Sequence, residues 1–162
     1  MVMTIVRADY ANAGHGRDLL ALLDVYARDP MGGGEPLALA VRSVLLKGLA
    51  AHPTAFSLIA YDDGAPVGLA NCFFGYSTFA ARPLVNIHDV VVDPAHRSKG
   101  IARALFAQIE AIAAEAGACK VTLEVLSGNH RARALYQSLG YGDYALDDEH
   151  GNALFWQKRL AA

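Results

Sequence analysis

Two cysteines, one tryptophan and three methionines are all that 162 residues supply of these types, and only 19% of positions are charged. Each scarcity removes a class of protein. Cys72 and Cys119 lie far apart in apolar surroundings and form no Cys-x-x-Cys unit, which speaks against a metal knuckle, a redox pair or a disulfide framework. Both are expected to be buried free thiols, and no metal is expected. The formal net charge of −2 offers no basic stripe for nucleic acid. No stretch approaches the roughly 18 to 20 apolar residues that span a bilayer, and residues 1–10 lack the apolar core and cleavage site of a secretory leader. No membrane partner is expected, and the location expected is cytoplasmic. The Gly-x-x-x-x-Gly-Lys-Ser/Thr and Gly-x-Gly-x-x-Gly phosphate fingerprints are also missing.

What is present is apolar and periodic. Hydrophobic residues make up 54% of the chain, alanine prominent among them, and the length suits one ordered domain over 1–162. Alternation predicts a strand at Met3 to Ala8. Leu19, Leu22, Leu23 and Tyr26 then recur at helical spacing within Gly14 to Arg28. Two prolines and three glycines between Asp29 and Pro36 end that helix and predict a mobile loop. Leu37, Val41, Val44, Leu45 and Leu49 mark one face of a second helix that Pro36 can begin.

Thr54 to Tyr61 and Val67 to Tyr76 read as strands joined through the turn signal Asp62-Asp63-Gly64, and Leu84 to Val92 as a third. A helix is predicted over Gly100 to Ala116, burying Ile101, Leu105, Ile109 and Ile112 and stopping at Gly117. Lys120 to Val125 follows as a strand, Asn129 to Leu139 as a short helix, and Tyr141 to Leu146 with Ala153 to Leu160 as a closing hairpin. This order implies an α/β protein with a sheet of mixed strand direction.

The chemistry concentrates between Val90 and Ala102. A β-branched run (Val90, Val91, Val92) breaks at Asp93-Pro94, a basic segment (His96, Arg97, Ser98, Lys99) follows, and Gly100, Ile101 and Ala102 open a helical pattern. A helix N-terminus behind a basic, glycine-bearing loop binds anions, since its first N–H groups lack intrahelical partners and the helix dipole is positive there. By spacing alone, an ordinary solvated basic loop fits about as well.

Arg97-x-x-Gly100-x-Ala102 after a Val-rich strand resembles the acyl-CoA pyrophosphate loop of the GNAT acetyltransferase superfamily, whose pattern is Gln/Arg-x-x-Gly-x-Gly/Ala. A second signature is similar as well: Leu123-Glu124-Val125, then Asn129, Ala132, Tyr136 and Gly140-Tyr141. One departure is Ser98, where many relatives carry a second glycine. The resemblance covers nearly the whole chain, and it is nearest to the diamine and polyamine acetyltransferase branch. It implies a central mixed, mostly antiparallel twisted sheet of about seven strands flanked by about four helices.

The resemblance also implies roles. Acetyl-CoA is the expected co-substrate, its pantetheine arm meeting backbone of Val90, Val91 and Val92 and its pyrophosphate meeting Arg97 to Ala102. Asn129 either binds the pantetheine or caps its helix. Tyr136 matches the family's helix tyrosine, a phenol that protonates the leaving sulfur; its usual pKa near 10 keeps the proton available. A packing tyrosine beside Leu135 and Leu139 is the plainer alternative. His88 stands where the polyamine branch has a glutamate, and imidazole can take an ammonium proton at neutral pH. Strand alternation sets Asn86, His88 and Val90 on one face and Ile87, Asp89 and Val91 on the other. The acceptor implied is the primary amine of a small molecule, drawn by carboxylates such as Asp29, Glu35 or Asp89. The Asp147-Asp148-Glu149 cluster reads better as a solvated turn. A homodimer through the terminal strands and Phe155 and Trp156 is expected, although a buried core face explains those aromatics equally well. The rival of a different class is a non-catalytic CoA-binding sensor or assembly module, and an acetyltransferase acting on a protein N-terminus or lysine is the alternative within the family.

Overall fold

Apolar alternation in the first half of the chain builds antiparallel neighbours. In the computed structural model, which describes residues 2–161, β1 (Met3–Arg7), β2 (Ala55–Asp62), β3 (Ala65–Ser77) and β4 (Arg82–Val92) pair antiparallel in sequence order. β5 (Val121–Leu123) adds parallel to β4, which completes a mixed sheet ordered β1-β2-β3-β4-β5. The β2–β3 hairpin turns at Asp63 and Gly64, whose φ angles of 47° and 84° are both positive. A two-residue turn of that handedness matches the strands' own twist, which is why an Asp-Gly pair sits there.

Four helices accompany the sheet: α1 (Ala13–Arg28), α2 (Leu39–Ala51), α3 (Ile101–Glu115) and α4 (His130–Ser138). Two compact units divide the chain, the first ending at Leu123 and the second beginning at Glu124. In the first, the period-2 rule separates two apolar faces. Ile59, Leu69 and Val91 form one buried cluster with Leu19 and Leu22 of α1 and Leu49 of α2. On the opposite face Gly68 meets α3. A Cβ added at Gly68 would lie 2.9 Å from Ile101 Cγ2 and 3.2 Å from Leu105 Cδ1, so the missing side chain lets the helix sit close on the sheet.

Several expectations change. The sheet has five strands among the described residues, not about seven. Tyr141 to Leu146 and Ala153 to Leu160 form no strands; one antiparallel bridge pairs Ala145 with Asn152, the residue before the second segment. Their apolar members are exposed instead, Phe155 at 77% and Trp156 at 82%, so the core-face reading of those aromatics fails. On α2, Val41 and Val44 are exposed, and Leu45, Leu46 and Leu49 do the packing. Leu46 reaches over Gly16 of α1, a contact between helices that no single-helix pattern reveals. On α3, Phe106 and Ala113 are buried while Ile112 is half-exposed. Cys72 is buried as expected, but Cys119 is only partly so.

The close approach at Gly68 generates a prediction. Gly68→Ala forces α3 away from β3 and lowers stability by about 1–3 kcal/mol, the usual cost of overpacking. Thermal unfolding reads this as a lower Tm. An unchanged Tm would mean that α3 has room the structure does not give it.

Candidate active site

The strand that carries the candidate base is irregular at the candidate base. Asn71 of β3 pairs with Asp89, but the next residue, Cys72, pairs with Ile87, so His88 is an extra residue with no partner in the ladder. Such a bulge shifts the alternation by one. The expected face assignment is therefore corrected: Ile87 shares a face with Val90, opposite Cys72 and Ala70, and Asp89 joins Val91 on the Asn71 and Leu69 face. His88 itself is exposed, with its ring edge-on to Phe73 at 5.6 Å between centroids.

Behind the bulge runs a polar chain. The Ser57 hydroxyl donates to Asn71 Oδ1 at 2.6 Å, and Asn71 Nδ2 donates to Asp89 Oδ2 at 3.0 Å. Tyr10 Oη lies 2.9 Å from Ser57 Oγ. Ser57 and Asn71 are almost wholly buried, at 0% and 4% exposure. Burial raises the Tyr10 phenol above its usual range, with the Ser57 hydrogen bond opposing. Burial, then the Asp89 and Asp29 charges, raise Tyr26 in the same sense. Burial also pushes the Cys72 thiol up to about 12, with Asp89 adding to the effect, so it stays protonated and a poor nucleophile. Ser57, Asn71 and Tyr10 were not singled out in the sequence. The available signal was Asn71, a polar residue inside the apolar run from Val67 to Phe74.

The basic, glycine-bearing loop joins β4 to α3. Pairing of β4 with β5 stops at Ile87, so the rest of β4 through Val92 lies beyond that ladder. Val91 and Ile101 point their side chains into the core, at 5% and 2% exposure, which leaves backbone as what they can offer a ligand. Ser98, Lys99 and Gly100 are exposed, Val90, Val92 and Ala102 partly buried. Ser98 has φ 65° and Gly100 φ 82°. Gly100 takes the left-handed conformation as N-cap of α3, and no side chain caps that helix. Left-handed backbone at Ser98 is a conformation that glycine adopts more readily, in keeping with the glycine that the family resemblance puts at that slot.

Arg97 is engaged within the protein. Its Nε donates to the Val92 carbonyl at 3.2 Å, and its Nη2 pairs with Asp29 Oδ2 at 3.0 Å. Asp29 Oδ1 meanwhile accepts from Met31 N at 2.9 Å, opening a short 3-10 turn over Pro30–Gly32. The backbone N–H groups of Gly32 and Gly34 both donate to the Asp29 carbonyl, so this segment is tied down rather than the free loop its glycines predict.

In the second unit, Asn129 caps α4, its Oδ1 accepting from Ala132 N at 3.2 Å, which is one of its two expected roles. Tyr136 is half-buried on the same helix. Asp147 accepts from His150 N at 2.8 Å, in keeping with a solvated turn.

A sequence model described as the acetyltransferase (GNAT) family matches residues 34–141, which take in the bulge, the loop and α4. The chain belongs to the GNAT acetyltransferase family. Among curated GNAT relatives it is 34% identical over 77 residues to a thialysine N-epsilon-acetyltransferase of Bos taurus, covering 48% of this chain and 45% of that protein. The chain thus spans about half the length of the curated relatives it matches. In fold it is similar to a possible acetyltransferase from Clostridium difficile 630, with TM-score 0.80, 20% identity and full coverage of both chains. It is also similar to the aminoglycoside N-acetyltransferase AAC(6')-Iy in complex with CoA, with TM-score 0.74, 20% identity, and 98% and 96% of the two chains covered.

The Asp29 junction has a pH signature. The Met31 backbone hydrogen bond, then Arg97, hold its carboxyl below the usual aspartate range. A depressed folded-state pKa stabilises the ionised form, so the junction is complete above the ordinary aspartate range and is lost as pH falls through the lower folded value. The Met31 amide resonance is expected to titrate with a midpoint below that of an ordinary aspartate. A midpoint at or above the ordinary value would contradict the junction.

Proposed function

We propose that this chain is an acetyl-CoA-dependent N-acetyltransferase, one domain over 1–162, that moves an acetyl group directly to the primary amine of a small molecule. The observation that carries the reading is the uncapped N-terminus of α3 behind left-handed Gly100, in a chain that belongs to the GNAT family. Its first-turn N–H groups suit a pyrophosphate. The residues fit such a ligand further at β4, whose pairing with β5 ends before Val90 to Val92.

In this reading Arg97 to Ala102 and the backbone of Val90 to Val92 hold the nucleotide and pantetheine, and Asn129, whose Oδ1 caps α4, contributes through its amide nitrogen. His88, exposed at the bulge, takes the proton of the acceptor's ammonium. The amine nitrogen bonds to the acyl carbon, the carbon–sulfur bond breaks, the Tyr136 phenol gives its proton to the sulfur, and the second proton that the nitrogen loses on becoming an amide restores the phenol. No step is assigned to a metal. The acceptor class, a polyamine, amino acid or related amine, draws support from the thialysine enzyme among the relatives. Among the described residues no helix is long and apolar enough to cross a membrane. That agrees with a cytoplasmic location, which belongs to the same proposal.

The test is free-thiol release from acetyl-CoA against amines, amino acids, polyamines and peptide N-termini, with CoA binding measured in parallel. Acceptor-dependent turnover is expected. Binding without turnover would favour the sensor, and no binding would overturn the reading of the loop. Tyr136→Phe is expected to lower kcat by about 100-fold, the lower range for a general acid, with little change in CoA affinity. His88→Gln is expected to lose rate that high pH partly restores; an unaltered pH profile would remove His88 as the base.

We also propose a homodimer, for which the exposed Phe155 and Trp156 provide apolar surface. Sedimentation velocity decides it, and a monomer at micromolar concentration would rule it out.

A further inference from the structure

Ser57 and Asn71 are an odd choice for adjacent strands in the middle of a sheet. They are buried as deeply as the neighbouring Leu58 and Ala70, where apolar side chains would carry no desolvation cost. Their hydrogen bonds remove that cost, and the bonds have a direction. A carboxylate accepts, so the amide side of Asn71 faces Asp89 and its oxygen faces Ser57. Ser57 has one proton and gives it to that oxygen, so Tyr10 must be the donor to Ser57. Donors therefore run one way, from Tyr10 through Ser57 and Asn71 to Asp89.

Only the bulge lets this chain end on a carboxylate. With unbroken alternation Asp89 would share the face of Ile87, which the ladder places with Cys72, Ala70 and Gly68 on the α3 side. The extra residue turns Asp89 toward Asn71 and leaves His88 exposed beside it. We infer that Tyr10, Ser57 and Asn71 are positioning residues that hold the Asp89 carboxylate, next to His88, where it meets the acceptor's ammonium. The inference rests on the acetyltransferase reading above. It selects Asp89 among the carboxylates that could draw a cationic acceptor and adds the three residues behind it. Tyr26 lies near this carboxylate, and after burial the Asp89 charge is the next cause that raises its phenol.

The test is acceptor kinetics with CoA binding alongside. Asp89→Asn is expected to raise acceptor KM by about tenfold and to leave CoA affinity alone. Ser57→Ala and Tyr10→Phe raise acceptor KM in the same sense, and neither adds to the effect when combined with Asp89→Asn, because both act through that carboxylate. Tyr10→Phe removes a single hydroxyl, which keeps the test available if Ser57→Ala folds poorly. A lowered Tm with unchanged acceptor KM, or full additivity with Asp89→Asn, would overturn the inference.

A readout without activity separates the two proposals. If the wild type acetylates no amine, the Asn71 side-chain amide protons decide the chain by their exchange with solvent. Slow exchange that is lost in Ser57→Ala and in Asp89→Ala sustains the chain and overturns only the reaction. Exchange as fast as that of an exposed asparagine overturns the chain.

Discussion

One residue too many on β4 governs the first unit. At His88 the ladder with β3 skips a partner, and every side chain after it faces the opposite way from what the preceding strand sets up. Before the bulge, Val85 and Ile87 are buried; after it, Val91 joins the cluster under α1 and α2. A strand that serves two cores in succession needs such a break. The break also leaves His88 exposed between buried Ile87 and partly buried Asp89, so that an imidazole and a carboxylate stand next to each other in the chain.

Polarity inside the sheet follows from the same break. A carboxylate turned toward Asn71 would be costly there without donors, and a buried donor chain without an acceptor would be costly in its turn. Tyr10, Ser57, Asn71 and Asp89 satisfy one another across β4, β3, β2 and the segment after β1. Four pieces of chain distant in sequence are thereby held in one arrangement, which favours a single register of the sheet. Asp29 does similar work at the C-terminal end of β4. Its two carboxylate oxygens hold the turn after α1 and the guanidinium of Arg97, and Arg97 in turn holds the Val92 carbonyl. The glycine-rich segment is consequently fixed to the loop that leads into α3.

Much was legible in the residues alone. The helical spacing of Leu19 and Leu22, the Asp-Gly turn and the strand-loop-helix order around Arg97 to Ala102 are local properties, decided within a few residues by sterics and backbone hydrogen bonding. So was the family, because its signatures are short segments with fixed internal spacing. The α/β class with mixed strand direction followed from the order of the elements.

The rest needed partners. Whether Val41 and Val44 or Leu46 pack inward beside Leu45 and Leu49 depends on where Gly16 admits a neighbouring helix, and whether residues 153–160 pair depends on what lies beside them. The face of Asp89 could not be read from β4, since a bulge exists only relative to the strand opposite. Arg97 was visible as a cation in a loop, but its engagement with Asp29 joins residues far apart in sequence. The sequence by itself determined local conformation and the chemical types present. The tertiary structure decided which of them face one another, because pairing register and side-chain contact are properties of two segments and never of one.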